Sequence, residues 1–275
     1  MARSDLMSDI VAPAAVDLSA PIILTGRGGS GTRLFSIALQ KLEVFLGNRL
    51  NHTEDSVEWV EVIYGAAIDK LRSPPSSPVP SETFRRRAAA ILAEAGGRRI
   101  GKWGWKLPET MLILPEVAAA FDNCRIIHAI RHPLDTCLRR SHMTSKPKNP
   151  IGDAVLAAAY ARLGWARDPA DDPEHLRNAA SWLYQVGLAQ DFFGDFPVDR
   201  SLTLRYESLC DQPADTMEKV AAFIGAGNRP IDLGVDHSRR RMWSDGDSRI
   251  EDVWRICGSV AQIYGYHIDG SVVTT

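Results

Sequence analysis

Residues 21–35 have the sequence PIILTGRGGSGTRLF, and this stretch decides the fold. An apolar run is followed by a glycine-rich loop and then by the start of a helical pattern. Glycines let the backbone turn sharply and bring bare N–H groups against a ligand. The first turn of a helix adds unpaired N–H donors and the positive end of its dipole. The stretch therefore predicts a strand, a loop that binds an anion, most often a phosphate, and a helix.

The loop matches only the beginning of a nucleotide-hydrolysing P-loop. Gly26 and Gly31 have the Walker A spacing, but Thr32 and Arg33 stand where that motif requires Lys and then Ser or Thr. The Lys that reaches the β- and γ-phosphates and the hydroxyl that binds Mg²⁺ are both missing. We expect phosphate binding without a metal-bound triphosphate, and we predict no metal site. An ordinary glycine-rich turn is the simpler alternative.

Composition describes an ordinary globular chain. The 275 residues are 45% hydrophobic and 24% charged, and the net charge of −2 argues against a general nucleic-acid binder. No apolar run approaches the roughly 20 residues that span a bilayer. Residues 1–20 lack the pattern of a signal peptide, and the four cysteines form no CxxC pair. We expect a flexible lead-in over residues 1–20, one domain over residues 21–275 and a cytoplasmic protein; a homo-oligomer is left open.

Two further strand ends present cations. Residues 100–108 predict a strand that ends at Lys106, and residues 124–130 predict a buried strand followed by Arg131. Helical patterns alternate with these strands, including one over residues 32–46 and one that begins at Pro133 and extends through residues 139–142. This alternation predicts a three-layer α/β/α fold with a mostly parallel central sheet, similar to P-loop NTPases.

Together, three stretches resemble the sulfotransferases that use 3′-phosphoadenosine-5′-phosphosulfate (PAPS). Residues 26–33 resemble the family's 5′-phosphosulfate loop. Residues 127–141 resemble its 3′-phosphate segment, an apolar strand that ends in Arg-x-Pro and leads into a helix with a serine. Residues 202–225 resemble the family's YEdL…P…FlG stretch. The turn at residues 105–108 also resembles a lysine–proline element of these enzymes.

The resemblance implies roles for individual residues. The 5′-phosphosulfate would lie on the backbone and hydroxyl groups of the loop, which comprises Arg27, Gly28, Gly29, Ser30, Gly31, Thr32 and Arg33. Arg131 would pair with the 3′-phosphate and Tyr206 would lie near the adenine. A late basic loop would close over the 3′-phosphate with Arg239, Arg240 and Arg241, although such a triplet is equally typical of a solvated cluster. The product would be adenosine 3′,5′-bisphosphate.

Two positions depart from the family pattern. Gly29 stands where many members carry a cation before the serine, so the loop must take its charge from Arg27, Arg33 or Lys106. The serine expected eight residues after Arg131 is replaced by Arg139, and Ser141 follows two residues later. We expect Arg139 to contribute to the 3′-phosphate site, with Ser141 as the alternative.

Sulfuryl transfer requires a cation near the leaving oxygen and, for a hydroxyl acceptor, a base. Candidate cations are Lys106, Arg27 and Arg33. Family members carry a Glu or His base after the first helix or at the lysine strand end. The first place offers His52, Glu54 and Asp55, of which we favour Glu54 or Asp55, and the second offers Glu109. A helix cap is an equally good explanation of Asp55.

The predicted function is transfer of the sulfuryl group of PAPS to a hydroxyl, or an amine, of a small molecule or carbohydrate. The alternatives are a P-loop nucleotide kinase or NTPase, which the missing Walker lysine disfavours, and a non-catalytic nucleotide-binding fold. Residues 54–95 and 149–172 are expected to form the acceptor cleft. Four aromatic residues are candidates for stacking on the acceptor, although tryptophans belong more often to the core: Trp59, Tyr64, Trp103 and Trp105.

Overall fold

The computed structural model describes residues 16–72, 79–227 and 230–273, and a parallel sheet runs through the centre of this part of the chain. The sheet comprises β1 (Ile22–Thr25), β2 (Val44–Phe45), β3 (Lys102–Lys106), β4 (Arg125–Ile130) and β5 (Ser201–Arg205). The strand order is β2-β3-β1-β4-β5, and all pairings are parallel. β1 therefore lies in the middle, with its carboxyl end next to those of β3 and β4. A reversal of strand order of this kind creates a ligand crevice at the carboxyl ends.

Helices cover both faces of the sheet. They are α1 (Thr32–Lys41), α2 (Val60–Arg72), α3 (Ser81–Glu94), α4 (Leu114–Ala120), α5 (Pro133–Cys137), α6 (Pro150–Leu163), α7 (Glu174–Asp195), α8 (Tyr206–Asp211), α9 (Pro213–Ile224) and α10 (Ile250–Ile263). α1 and α9 pack on one face. α2, α3, α5, α7 and α10 contribute to the core on the other face.

Alternating side chains divide the core between the two faces. Ile22 and Leu24 of β1 pack with α1, whereas Ile23 packs into the larger core on the opposite face. In β4, Ile127 and Ala129 face α1 and α9, and the alternate residues face α7. Because strand side chains alternate between faces, a strand that is apolar throughout must be buried on both sides. The predicted three-layer α/β/α fold is confirmed.

Two predicted helices are too long. The helix expected over residues 32–46 ends at Lys41, because Glu43 adopts a positive φ of 63° and Val44–Phe45 then pairs with β3. The helix that begins at Pro133 ends at Cys137, so residues 139–142 are not helical. Arg139 and Ser141 are therefore not part of the helix that begins at Pro133, contrary to the prediction. Residues 1–15 of the predicted lead-in lie outside the described residues.

His128 of β4 makes the stability of the fold depend on pH. Its ring is fully buried against Phe193, and neither ring nitrogen has a hydrogen-bond partner among the described residues. Burial lowers the pKa of His128 to about 4, below the value of 6.5 for an exposed histidine. The unfolded chain therefore binds more protons than the native one between these values. Stability present above about pH 6.5 is lost as the pH falls toward 4.

We expect His128→Leu to remove much of this acid sensitivity. The native histidine contributes a loss of about 3 kcal/mol between pH 6.5 and 4, since each unit of pKa shift corresponds to about 1.4 kcal/mol. Leucine fills a similar volume without two unsatisfied nitrogens, so the variant should match or exceed wild-type stability at pH 7.5. Urea unfolding at pH 7.5 and pH 5 measures the difference. Equal losses in the two proteins would exclude His128 as the source.

Candidate functional site

A cleft opens along the carboxyl edge of the sheet. The glycine loop follows β1, Lys106 ends β3, Arg131 follows β4 and Tyr206 follows β5. The cleft has a volume of about 400 Å³ and is lined by Gly28, Gly29, Gly31, Thr32, Arg33, Leu34, Ile37, Thr53, Asp55, Lys106, Pro108, Arg131, Arg139, Arg140, His142, Tyr206, Gly234, Asp236 and Arg239. Three separately predicted stretches therefore meet in one cavity with a strong excess of cationic side chains.

The loop after β1 leaves donors free for a ligand. Gly31 is the N-cap of α1 with φ 83°, and no side chain caps this helix. The first turn of α1 holds no acidic residue. The Ser30 hydroxyl is buried and has no hydrogen-bond partner within the described part of the chain. A buried polar group without a partner is costly, so an anion that accepts from Ser30 and from the end of α1 fits this loop.

Two glycines keep the loop accessible to neighbouring side chains. A Cβ atom at Gly28 would lie 2.0 Å from the ring of His142, and one at Gly31 would lie 2.2 Å from the ring of Tyr206. No side chain fits in either place without moving a ring. His142 and Tyr206 therefore form opposite walls over the loop, one reaching from the segment after α5 and the other from the end of β5.

Arg131 is buried at the second end of the cleft. Its Nη2 donates to Asp135 Oδ2 at 3.2 Å and to the carbonyl oxygen of Arg239. The guanidinium carbon lies 4.3 Å from the centre of the Tyr206 ring. Its Nε has no partner within the described residues. Burial, and then the charges of Arg131 and Arg239, lower the pKa of Arg139. Cations that repel one another in this way form a site for a multiply charged anion.

The three consecutive arginines at positions 239–241 point to different places. Arg239 lines the cleft, whereas Arg240 and Arg241 line a neighbouring hollow of about 380 Å³. Arg239 is paired with Asp236, Arg240 with Asp211 and Arg241 with Asp245. The backbone N–H groups of Arg241 and Met242 donate to Asp135. The structure therefore brings only the first arginine of the triplet to the cleft.

Lys106 and Asp55 form an ion pair at the first end of the cleft. Nζ of Lys106 contacts Oδ1 of Asp55 and donates to the Thr53 carbonyl oxygen at 2.9 Å. Burial alone would raise the pKa of Asp55, but Lys106 and the hydrogen bonds from Lys106, Thr53 and Asn51 outweigh it and hold the pKa below the usual value. Asp55 is therefore a carboxylate that orients Lys106, and a weak base.

Glu109 and His142 lie behind this ion pair. Nδ1 of His142 is 3.9 Å from Oε1 of the buried Glu109. Burial raises the pKa of Glu109 to about 7, and Asp55 adds to the shift. Burial of most of the His142 side chain, and then the charge of Arg27, lower its pKa to about 3. At neutral pH the imidazole is therefore neutral, and Glu109 holds its proton to a much higher pH than an exposed carboxyl.

Other predicted residues lie away from the cleft lining. The Glu54 carboxylate accepts a hydrogen bond from Gln40 Nε2 at 2.9 Å, and His52 is exposed. The N–H of Ser141 donates to the Glu174 carboxylate, while its hydroxyl is buried without a partner among the described residues. Arg33 lines the cleft and is exposed. The structure thus brings Asp55, Lys106 and Arg33 to the cavity and leaves Glu54, His52 and Ser141 outside its lining.

Arg27 points into the protein. It is 1% exposed, and Nη2 lies 3.3 Å from Asn178 Oδ1 and 3.4 Å from Ser145 Oγ. Burial lowers the pKa of Arg27. Asn178 of α7 also accepts from Ser145 Oγ at 2.6 Å and donates to the carbonyl oxygens of Cys137 and Arg139. This buried amide therefore joins the glycine loop to the segment that carries Arg139 and His142.

We expect Asn178→Leu to destabilise the protein by about 2–4 kcal/mol, because it removes one acceptor from the buried Arg27 guanidinium and from Ser145, and the donors to two carbonyl oxygens. Urea unfolding at pH 7.5 measures the loss. The matched control is Asn123→Leu at an exposed amide, for which a change within about 0.5 kcal/mol is expected. A similar small change for Asn178 would show that this network contributes little.

The tryptophans proposed for acceptor stacking belong to the core. Trp59 and Trp105 are fully buried and stack with ring centres 4.1 Å apart, and Trp103 is 2% exposed. Tyr64 is half-buried, and its pKa is raised by burial and by Glu109. Reasoning from sequence missed His142 and Asn178 as site residues. The available signal was weak: His142 comes three residues after Arg139, in a segment that was predicted to be helical.

Comparisons with known proteins identify a family and a fold. The model of a family described as the sulfotransferase family matches residues 21–228. The sulfotransferase domain from the curacin biosynthetic pathway superposes with a TM-score of 0.52 at 12% identity, covering 88% of this chain and 97% of that one. The sulfotransferase domain of the Synechococcus PCC 7002 olefin synthase superposes with a TM-score of 0.50 at 15% identity, covering 93% and 98%. A search of curated proteins finds no match.

The family match covers most of the chain, so the protein belongs to the sulfotransferase family, and the resemblance stated from sequence is confirmed. The solved structures support the fold alone, because their sequences are so distant. Family membership supports sulfotransferase activity. Within the described residues, no helix is long and apolar enough to span a membrane, and no group of three His, Cys, Asp or Glu side chains is placed to hold a metal.

Proposed function

We propose that this protein transfers the sulfuryl group of PAPS to a hydroxyl, or an amine, of a small molecule or carbohydrate. The observation that carries the proposal is the pair of anion sites in one cleft. One comprises the uncapped start of α1 and the unpartnered hydroxyl of Ser30. The other comprises Arg131, with an unpartnered Nε, together with Arg139 and Arg239. PAPS carries anionic groups at both ends of its nucleoside, and these sites fit the two ends.

In this proposal the loop, Gly28 to Thr32, binds the 5′-phosphosulfate, and the arginines bind the 3′-phosphate. Charge-assisted hydrogen bonds from guanidinium groups to phosphate are among the strong ones. Tyr206 lies beside Arg131 and over Gly31, so its ring separates the two anion sites where the nucleoside would lie. Leu34 and Ile37 of α1 add apolar surface to this part of the cleft.

Lys106 is the cation that we propose for the leaving oxygen. The donor supplies an activated sulfuryl group, and the chain supplies position and charge. Lys106 is fixed by Asp55 and by the Thr53 carbonyl, so its ammonium is oriented before any ligand binds. Arg27 is less suitable, because it donates to Gly28 and Asn178 inside the protein. Arg27 instead supports the glycine loop from inside the protein by donating to the Gly28 carbonyl oxygen, and it places a positive charge next to the loop backbone.

A nucleotide kinase is the alternative, and the loop disfavours it. Thr32 occupies the position of the lysine that would reach a γ-phosphate, and Lys106 is already paired with Asp55.

We also propose one domain over residues 21–275. The acceptor would enter between the segments that carry Thr53 and His142, where the cleft wall is polar. The tryptophans lie in the core, so an acceptor is held there by hydrogen bonds rather than by tryptophan stacking.

Transfer of radiolabelled sulfate from PAPS to a panel of acceptors tests the proposal. The panel contains monosaccharides, sulfated and unsulfated oligosaccharides, aliphatic alcohols, phenols and amines, and the reaction is run in EDTA. We expect label to enter at least one hydroxylated polar acceptor. Transfer of phosphate from ATP in Mg²⁺, without any transfer from PAPS, would instead support the kinase.

A further inference from the structure

We infer that His142 accepts the proton of the attacking hydroxyl and that Glu109 orients it and stabilises its charge. This inference rests on the proposed function, since it places a base beside the sulfuryl site. His142 lies just outside the stretch, residues 127–141, that resembles the 3′-phosphate segment.

The imidazole has one buried face and one face on the cleft. Nδ1 lies 3.4 Å from Thr144 Oγ1 and 3.9 Å from the Glu109 carboxylate. A Cβ built on Gly28 would be 2.0 Å from both Cδ2 and Nε2 of the ring, so the imidazole lies with its face against the glycine loop. His142 lines the cleft, and its Nε2 has no hydrogen-bond partner among the described residues, so this nitrogen is available beside the loop where the proposed sulfuryl group would lie. A proton on Nδ1, on the side of Thr144 and Glu109, leaves the lone pair of Nε2 free to accept the proton of the hydroxyl.

The segment around His142 is held in place. The Ser145 N–H donates to the His142 carbonyl oxygen at 2.9 Å, and the Thr144 hydroxyl is hydrogen-bonded to Ser181 and Gln185 of α7. The ring itself is about one quarter exposed, which leaves one side open to a substrate. Side chains of α7 therefore hold the segment that carries His142, which lies beyond the end of the short helix α5.

The charges around His142 favour its action as a base only when a sulfuryl donor is bound. In the free protein Arg27, Lys106 and Arg140 disfavour the imidazolium, and Asp55 favours it only in part. A donor bound on the loop adds negative charge beside Gly28, and a nearby opposite charge raises the pKa of a histidine. Glu109 lies among Tyr64, Asp55 and Lys106, and its carboxylate is 3.9 Å from His142 Nδ1. At this distance an ionised carboxylate favours the imidazolium.

The transfer step balances with these groups. The hydroxyl oxygen attacks sulfur, the bond between sulfur and the bridging oxygen breaks, and the electron pair leaves on the 5′-phosphate. The hydroxyl proton passes to Nε2 of His142, whose Nδ1–H faces the Glu109 carboxylate. Water then removes the proton from the imidazolium. Asp55 is paired with Lys106, and Glu54 accepts a hydrogen bond from Gln40. Both carboxylates are therefore already engaged, and this step uses neither of them as its base.

The first test is the tautomer of His142, measured by ¹⁵N NMR of histidine-labelled protein saturated with adenosine 3′,5′-bisphosphate at pH 7.5. His142→Gln assigns the signal. We expect a ring with its proton on Nδ1 and an unprotonated Nε2. Glu109→Gln should reduce the population of that tautomer. A wild-type ring with its proton on Nε2 would overturn the inference.

The second test is the conversion of PAPS to adenosine 3′,5′-bisphosphate, with water or an acceptor from the panel. We expect His142→Gln to slow conversion at least about tenfold, while the dissociation constant of the bisphosphate changes less than about threefold. The wild-type rate should rise with pH through about 7 as Glu109 ionises, and Glu109→Gln should flatten this rise. His267→Gln, at an exposed histidine outside the cleft lining, is the matched control and should match wild type.

An unchanged rate in His142→Gln would overturn the inference and leave the proposed function standing. A wild-type protein that binds no bisphosphate would instead refute the proposed function, and with it the inference. If wild type binds the bisphosphate but converts PAPS too slowly to measure, the tautomer alone decides.

Discussion

Lys106→Met is expected to lower the rate of sulfuryl transfer by about a hundredfold to a thousandfold, which is the usual effect of removing a preorganised charge that faces the reacting group. The Lys106 side chain is 3% exposed and its ammonium is fixed by Asp55 and the Thr53 carbonyl, so no reorganisation is required when charge develops on the leaving oxygen. Methionine keeps the length of the chain and removes only the charge. Conversion of PAPS at saturating concentration measures the effect.

The design must separate charge from folding, since Lys106→Met leaves the partly buried Asp55 carboxylate without its cation. The double variant Asp55→Asn, Lys106→Met removes both charges, so it should recover thermal stability without recovering the rate. Lys106→Arg keeps a cation and should recover part of the rate. If the double variant transfers sulfuryl groups as fast as wild type, Lys106 is not the cation that assists the leaving oxygen.

Arg131→Met is expected to weaken the binding of adenosine 3′,5′-bisphosphate by at least about tenfold, since a hydrogen bond to a charged group contributes about 1.5–3 kcal/mol. The free Nε of Arg131 and its neighbours Arg139 and Arg239 form the second anion site. Asp135 keeps hydrogen bonds from the backbone N–H groups of Arg241 and Met242, so the variant does not leave that carboxylate without partners.

The matched control for Arg131 lies on the same strand. Arg125 is exposed at the amino end of β4, on the opposite edge of the sheet, and Arg125→Met should bind the bisphosphate like wild type. Titration calorimetry at low salt compares the three proteins. Equal affinities for Arg131→Met and Arg125→Met would refute the role of Arg131 in binding the 3′-phosphate.

The fold could be predicted because its signals are local and repeated. Apolar runs before Gly26 and Arg131 predicted buried parallel strands, and the glycine loop predicted a strand–loop–helix unit. The carboxyl ends of parallel strands lie on one edge, so the meeting of the loop, Lys106 and Arg131 followed from the fold. Family membership, shown by the match over residues 21–228, was likewise available from the motifs.

The rest depended on contacts that sequence patterns do not encode. The helix after Pro133 ends at Cys137 in the structure, and this early end lets His142 turn back over Gly28. Asn178 lies 39 or more residues along the chain from Cys137, Arg139 and Arg27, the residues through which it joins two segments. The burial of Arg27 could not be predicted either, because an arginine in a loop is usually exposed to solvent. Long-range hydrogen bonds of this kind are set by tertiary packing rather than by periodicity.

The most direct measurement of the central claim is calorimetric titration of the wild-type protein with adenosine 3′,5′-bisphosphate, once in EDTA and once in Mg²⁺. The account predicts one site per chain with the same affinity in both buffers, and it predicts competition by PAPS. Binding of ATP that requires Mg²⁺, with no affinity for the bisphosphate in either buffer, would contradict it.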